Sequence, residues 1–409
     1  MSDLAARFLA GLGTAFQVDG GRLGLAVSGG GDSLALLHLA EKQGIQICVA
    51  TVDHGLRAEA AAEAAEVGRI CARLGVPHEV LRWQWDGAGN LQDAARRGRR
   101  GLIADWARRS GVDAVALGHT QNDVAETFLM RLARRAGVDG LSAMAATWTE
   151  GGVVWLRPLL AVSRPELRAY LRGRGVVWVD DPSNDDPRFD RVKARMSLAA
   201  LQSMGITGDG LAEVAGHLAV ARDALERVTD TAAQRLLQVM GNAVLIDPGL
   251  AAESAEVQRR LILRVIGHVA PAEYGPRGVA VQDLLSRLLA GGSGMLSGCR
   301  FLTSKTGLWA FREGKAVAAK ISPAEGVWDG RWQITGLLPD GAEIRVLGAG
   351  IAQCTDWRAT GLPRQALMTS PALWRGEALL AAPFAGFGPG YSAISLFPAA
   401  ALHHSALSH

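Results

Sequence analysis

A serine- and glycine-rich hexapeptide, Ser28-Gly29-Gly30-Gly31-Asp32-Ser33, lies between an apolar run, Leu23 to Val27, and a helical pattern, Leu34 to Gln43. A strand that feeds a glycine turn that feeds a helix start can cradle a phosphate. Glycines let backbone N–H groups approach an anion, and the helix N-terminus adds free donors and a positive dipole. The loop lacks the Gly-Lys-Ser/Thr ending of the lysine-bearing P-loop. It is also readable as a plain turn in which Asp32 or Ser33 caps the helix. Further along, Asp123 and Glu126 stand three apart in a helical pattern, so both carboxylates share one face. Paired carboxylates beside a phosphate loop suit Mg2+ or a cationic substrate. The competing reading of Glu126 is a surface pair with Arg131.

Composition bounds what such a site could belong to. A chain of 409 residues is expected to hold two or three domains, and 49% hydrophobic with 20% charged residues indicates an ordered globular protein. The longest apolar stretches, such as Val153 to Leu160, are broken by Arg157 and too short to cross a bilayer. The Met-Ser-Asp start carries no basic segment, which predicts no secretory leader. Cys48, Cys71, Cys299 and Cys354 are scattered, with no CxxC pair. That suits a reducing cytoplasm and argues against zinc or iron–sulfur ligation. The net charge of +3 is unevenly placed: residues 91–135 hold nine arginines against five acids, and Arg96 to Arg100 is broken only by Gly98. A basic face near a phosphate loop fits a nucleic-acid substrate. With 38 arginines and five lysines in the chain, the run is equally readable as a compositional habit and a solvated helix face.

The elements that must position these residues alternate. Strand candidates are Leu23–Val27, Ile45–Val52, His78–Leu81, Ala114–Leu117, Val153–Leu156 and Val176–Val179, with helical stretches near 33–43, 58–74, 91–110, 121–135 and 164–174. This alternation predicts an α/β fold, a doubly wound parallel sheet whose ligands sit outside the carboxyl ends of the strands. His54, Arg57 and His119 would project there. A lone histidine at such a place is often a satisfied, partly buried residue; His54 and His119 are read as near a nucleotide, not as metal ligands. Gly205 to Gly210 reads as a linker, followed by a mostly helical domain over 211–320, with helices at Leu211–Met240, Ala252–Val269 and Arg277–Ala290. From 321 to 409, turn signals such as Trp328-Asp329-Gly330 indicate a small β-rich domain.

The hexapeptide resembles the SGGxDS signature of the PP-loop ATP pyrophosphatases. The motifs that follow are Val52-Asp53-His54-Gly55-Leu56-Arg57, the run Gly118 to Thr127, Arg131-Leu132, Gly140 to Met144, Arg157-Pro158-Leu159-Leu160, Asp181-Pro182-Ser183-Asn184 and Arg191 to Arg195. In this order they are similar to the tRNA(Ile)-lysidine synthetase family, in detail over residues 20–200 and loosely beyond. The resemblance implies a PP-loop catalytic domain over 1–204 and tRNA binding by 211–320. It implies that Ser28, Gly29, Gly30, Gly31, Asp32 and Ser33 bind the pyrophosphate of ATP, with Asp32 on Mg2+. His54 and His119 would lie at the nucleotide. Asp123, Glu126 and Arg131 would line the site for lysine and the target base. Arg96 and Arg99 would reach the α-phosphate or the RNA backbone. The implied partners are an isoleucine tRNA with a CAU anticodon, free L-lysine and ATP. Neither zinc nor an iron–sulfur cluster, nor a membrane, is implied, and a homodimer is compatible.

Four positions depart from the family pattern: Arg100 stands for a tyrosine, Arg135 for a glycine, Val192 lies where an asparagine is usual nearby, and Asn122 stands for an aspartate. Rival readings are a tRNA thiolase, an amidotransferase and a nucleotide-binding tRNA chaperone with a decayed site. The first calls for paired cysteines or a cluster and the second for ammonia delivery; the third would show no turnover. Lysine-dependent release of AMP and pyrophosphate separates a ligase from all three.

Overall fold

Leu23 and Leu25 are fully buried because β1 (Arg22–Ala26) is covered on both faces and flanked on both sides. The structure is a computed structural model of the chain and describes residues 3–55, 60–85, 87, 91–179, 186–272, 275–397 and 399–403. It divides into two units, Met1–Arg222 and Asp223–Ala406.

In the first unit, α1 (Asp3–Leu12) precedes β1. Then come α2 (Gly31–Lys42), β2 (Gln46–Asp53), α3 (Ala60–Arg73), β3 (His78–Arg82), α4 (Leu91–Ser110), β4 (Ala114–Leu117) and α5 (Gln121–Ala133). The short α6 (Val138–Leu141), β5 (Thr147–Glu150), β6 (Val153–Leu156), α7 (Arg164–Gly173) and α8 (Asp190–Leu201) follow. The sheet order is β3-β2-β1-β4-β6-β5. Leu25 lies opposite Val49 on one side and Ala116 on the other, both in parallel register, and only β5 runs antiparallel, against β6. Leu34, Leu37, Leu167 and Leu171 cover one face; Ile103, Trp106 and Trp155 lie in the core on the other. From β1 the chain winds to one edge through β2 and β3, and from β4 to the other. The strand order therefore reverses between β1 and β4, where open α/β sheets leave a crevice.

In this unit two expectations are corrected and one strand was not anticipated. Val176–Val179 is not a strand: after α7 it runs irregularly past the glycine loop, where the Val179 N–H donates to the Gly29 carbonyl (3.4 Å). The edge strand β5 is unforeseen, because Thr147-Trp148-Thr149-Glu150 buries only Trp148 and carries no apolar run. Gly205 to Gly210 is not a free linker. α9 (Gly208–Leu236) already begins there, and Ala215 packs with Val124 and Phe128 of α5.

In the second unit, the helical pattern read to Met240 stops earlier. Leu237–Met240 is β7, paired with β8 (Ala243–Ile246). α10 (Ala255–Val269) and α11 (Gly278–Leu289) follow, then β9 (Gly294–Leu296), β10 (Cys299–Ser304) and β11 (Gly307–Arg312). The five strands form an antiparallel sheet, β7-β8-β11-β10-β9, with Leu261, Val265, Leu284 and Phe301 in its core. Beyond it lie a four-stranded sheet (Ser322–Pro323, Glu343–Val346, Pro371–Arg375, Ala378–Ala381) and a pair, Trp332–Thr335 with Ser392–Ser395. Trp309 and Phe311 of β11 share a core with Ile351 and Leu367. Between the sheets, the buried Asp329 carboxylate accepts hydrogen bonds on both oxygens: from Arg312 (2.8 and 3.1 Å) and from Lys320 (2.5 Å).

Candidate active site

The glycine loop connects β1 to α2 at this reversal point. Gly29 has φ +89, which a side chain would strain. Gly30 is the N-cap of α2 and no side chain caps it. Ser33 instead donates its hydroxyl to the Gly30 carbonyl (2.9 Å), while its oxygen accepts from the Ser28 N–H (3.2 Å). The plain-cap reading of this turn therefore fails: Ser33 shapes the loop from inside and leaves the first N–H groups of α2 without a side-chain cap. Asp32 stands in that first turn. β4 ends close by, for a Cβ on Gly118 would lie 3.1 Å from the Ser33 Cα.

α5 starts from Thr120 with a capping box. One oxygen of Asp123 accepts from the Thr120 N–H and hydroxyl, each at 2.8 Å. α7 starts from Ser163 with its own box to Glu166. The two helix starts are tied together: the Arg164 N–H donates to Asn122 Oδ1 (2.7 Å) and the Gln121 N–H to the Val162 carbonyl (3.0 Å). Asn122, one of the departures from the family pattern, thereby holds Arg164 in place.

Arg164 is what the sequence reading missed. Its Nε donates to Asp32 (3.0 Å), and its two terminal nitrogens donate to Glu126 Oε1 (3.1 Å) and Asp123 Oδ1 (3.3 Å). One guanidinium thus gathers the three carboxylates that the sequence singled out. Arg195 of α8 donates to the same Glu126 oxygen (2.7 Å). Glu126 is 1% exposed, yet its Oε2 has no hydrogen-bond partner among the described residues. The surface pair with Arg131 does not form; Arg131 donates to the Gly140 carbonyl (2.8 Å). Separations of 132, 41 and 38 residues leave no local pattern for Arg164. The one available signal was the Ser163-x-x-Glu166 box, which fixes the start of α7.

The electrostatics follow from this packing. Burial pushes the Asp32 carboxyl above its ordinary value, against the pull of Arg164. Burial works the same way on Asp123, but Arg164 and the Thr120 N–H outweigh it and hold Asp123 below the usual carboxylate range. His119 is pushed down to about 3, by burial first and by Arg157 among the nearby cations, with Asp123 opposing. His54, edge-on to Trp83 at 6.0 Å, is lowered by burial and by Arg99. Arg99 is half-buried and acts on both histidines, whereas Arg96 is exposed on α4. Trp85 is exposed. Arg57 and Asp181 to Asn184 lie outside the described residues. All four cysteines are free and buried, with Cys71 pushed up by burial to about 11.

A glycine loop at the β1–β4 reversal of a parallel sheet is the arrangement of a PP-loop ATP-using enzyme, and the PP-loop domain family matches residues 5–201. The chain is 50% identical to the tRNA(Ile)-lysidine synthase of Ruegeria pomeroyi, covering 91% of this chain and 90% of that one. It is 43% identical to the protein of the same name from Rhodopseudomonas palustris, over 65% and 80%. The chain belongs to the tRNA(Ile)-lysidine synthase family. A solved U34-tRNA thiolase from Methanococcus maripaludis overlays 53% of this chain and 77% of its own at 15% identity, TM-score 0.46, too loose a likeness to add to this. Among the described residues no helix is long and apolar enough to cross a membrane.

Proposed function

We propose that this protein is a carbon–nitrogen ligase that joins free lysine to the wobble cytidine of a CAU-anticodon isoleucine tRNA, using ATP. The observation that carries the reading is the cation receptor beside the phosphate cradle: Asp32, Asp123 and Glu126 converge on one guanidinium at the glycine loop. A site built for a cation next to one built for polyphosphate suits an amine substrate and a nucleotide.

The cytidine 2-carbonyl oxygen attacks the α-phosphate and pyrophosphate leaves. Backbone donors of residues 28–33 hold its charge. The lysine ε-ammonium, seated against Asp123 and Glu126, gives a proton to water; the free amine attacks the activated ring carbon, AMP departs with the former carbonyl oxygen, and a second amine proton passes to water, giving lysidine. Arg99 faces the nucleotide side, and Arg131 and Arg96 complete the approach to the base and RNA backbone. Among the described residues no three His, Cys, Asp or Glu side chains are gathered as metal ligands. Mg2+ commonly takes one carboxylate plus phosphate oxygens, and Asp32, in the first turn after the loop, fits that share. When bound, the ion would neutralise phosphate charge. Zinc and iron–sulfur chemistry have no part in the reading.

Residues 211–320 and 321–409 are proposed to read the tRNA away from the anticodon, by shape and phosphate contacts. A methionine tRNA also carries CAU, so the anticodon cannot identify the substrate. The test cut belongs at Arg222, since ending at Gly208 strips α9 from α5. A chain of residues 1–222 should bind ATP and lose discrimination between the two tRNAs; retained discrimination would refute the division.

The ligase test incubates full-length protein with ATP, Mg2+, lysine and unmodified tRNA transcript, then weighs the nucleosides. A cytidine heavier by lysine minus water, absent with Asp32→Ala, supports the reading; unmodified cytidine with ATP still bound ends it.

A further inference from the structure

His119 is oriented from behind by a residue with no substrate role above. Arg157, which follows β6, donates its Nε–H to His119 Nδ1 at 3.1 Å. Arginine carries only donors. The ring nitrogen that accepts from it must therefore be unprotonated, which leaves the proton of a neutral imidazole on Nε2.

Arg157 has little freedom to do otherwise. It is 4% exposed. A terminal nitrogen donates to the Ala145 carbonyl (2.6 Å), and its guanidinium carbon lies 3.9 Å from the Trp148 ring centroid. Trp148 stacks on its cross-strand partner Trp155 (5.7 Å, 14°). The Trp148 indole N–H donates to Glu150 (3.1 Å), and Arg100 pairs with the same carboxylate (3.2 Å). A cation with no carboxylate in hydrogen-bond contact among the described residues is thus held against an aromatic face, and the β5–β6 hairpin aims it at His119.

We propose that Arg157 is a positioning residue that locks His119 as the neutral Nε2–H tautomer, so that His119 serves the reaction as a hydrogen-bond donor to a phosphate oxygen and never as the base for the lysine amine. The role in the reaction rests on the ligase reading; the tautomer does not. The surroundings agree: among the described residues, Arg157, Arg191 on α8 and Arg99 on α4 disfavour protonation of the ring, while Asp123 on α5 favours it.

The test is nitrogen-resolved NMR of the full-length protein with 15N-labelled histidine, His119 being assigned by loss of its signals in His119→Gln. The expected spectrum has an unprotonated Nδ1 and a protonated Nε2, unchanged between pH 8 and 5.5. A protonated Nδ1, or titration near the ordinary histidine value, overturns the proposal in the wild-type protein, with no variant needed. Arg157→Met should mix the tautomers and lower kcat by about 100-fold, the loss of one charge-stabilising donor, with KM for lysine unchanged. An unaltered spectrum and kcat would refute it. His119→Gln, which can place an amide donor near Nε2, should keep more turnover than His119→Asn; equal loss in both would also refute it. Should the protein make no lysidine at all, the spectrum still decides the tautomer, so the two failures are separable.

Discussion

Glu126 in the first unit and Asp329 in the second are both buried carboxylates held by two cations. Asp329 accepts on both oxygens, from Arg312 and Lys320. Glu126 takes Arg164 and Arg195 on one oxygen and leaves the other without a partner among the described residues. A buried carboxylate that is fully paired is finished as structure, since breaking it strands a charge. One left half-satisfied in a crevice costs stability and keeps an acceptor for something not part of the fold. Pairing alone does not separate the two roles; the unspent lone pairs do.

Exchanging charge for amide at both positions should split the effects. Glu126→Gln is expected to lower lysine ligation about 100-fold or more while the melting midpoint falls less than in Asp329→Asn, because Arg164 keeps Asp32 and Asp123 as partners. A midpoint loss as large as the activity loss would erase the contrast. Asp329→Asn should do the reverse. Removing one partner of a buried pair costs about 3 kcal/mol, and for a unit of this size that lowers the midpoint by about 6 °C or more, with activity per folded molecule intact.

Acid sharpens the comparison. Asp329 is held below the carboxylate range: burial opposes ionisation, but Arg312 and Lys320 outweigh it. Its stabilisation is present above the unfolded-state value, about 3.9, and is lost as pH falls through the lower folded value. Thermal melts of the wild type should drop across that window, and Asp329→Asn should flatten the drop. Asp32 has the opposite sign, its folded value being raised mainly by burial. Its ionised form is a cost at neutral pH, so Asp32→Asn should abolish activity and leave the midpoint unchanged or higher.

The smallest effect lies just past α5. Arg135 stands where the family pattern expects glycine and adopts φ +58, a left-handed turn that closes the helix through the Arg135 and Ala136 N–H groups. Arg135→Gly should stabilise by about 1 kcal/mol without altering activity, as read by denaturant titration.

What the sequence made legible follows from where information is local. β1, β2 and β4 read as apolar runs because both of their faces are covered. The glycine loop, Asp123 and Glu126 were readable from spacing. Arg164 and Arg157 were not read as site residues, because each acts on groups between 38 and 132 residues away and looks in the sequence like any other of the 38 arginines. β5 escaped because a half-exposed edge strand needs no apolar run. β7 escaped because Leu237 to Met240 continues a helical pattern until its pairing with β8 overrides it.

The Ser28–Ser33 pair carries a consequence for binding thermodynamics. A loop already stapled by its own hydroxyls has little conformational freedom left to surrender when polyphosphate arrives. Calorimetry of ATP binding should therefore show a small ordering penalty, and Ser33→Ala should enlarge it more than it reduces contact enthalpy. If the loop holds polyphosphate as proposed, it acts as a mould cast during folding, with its selectivity for phosphate spacing set before any nucleotide is met.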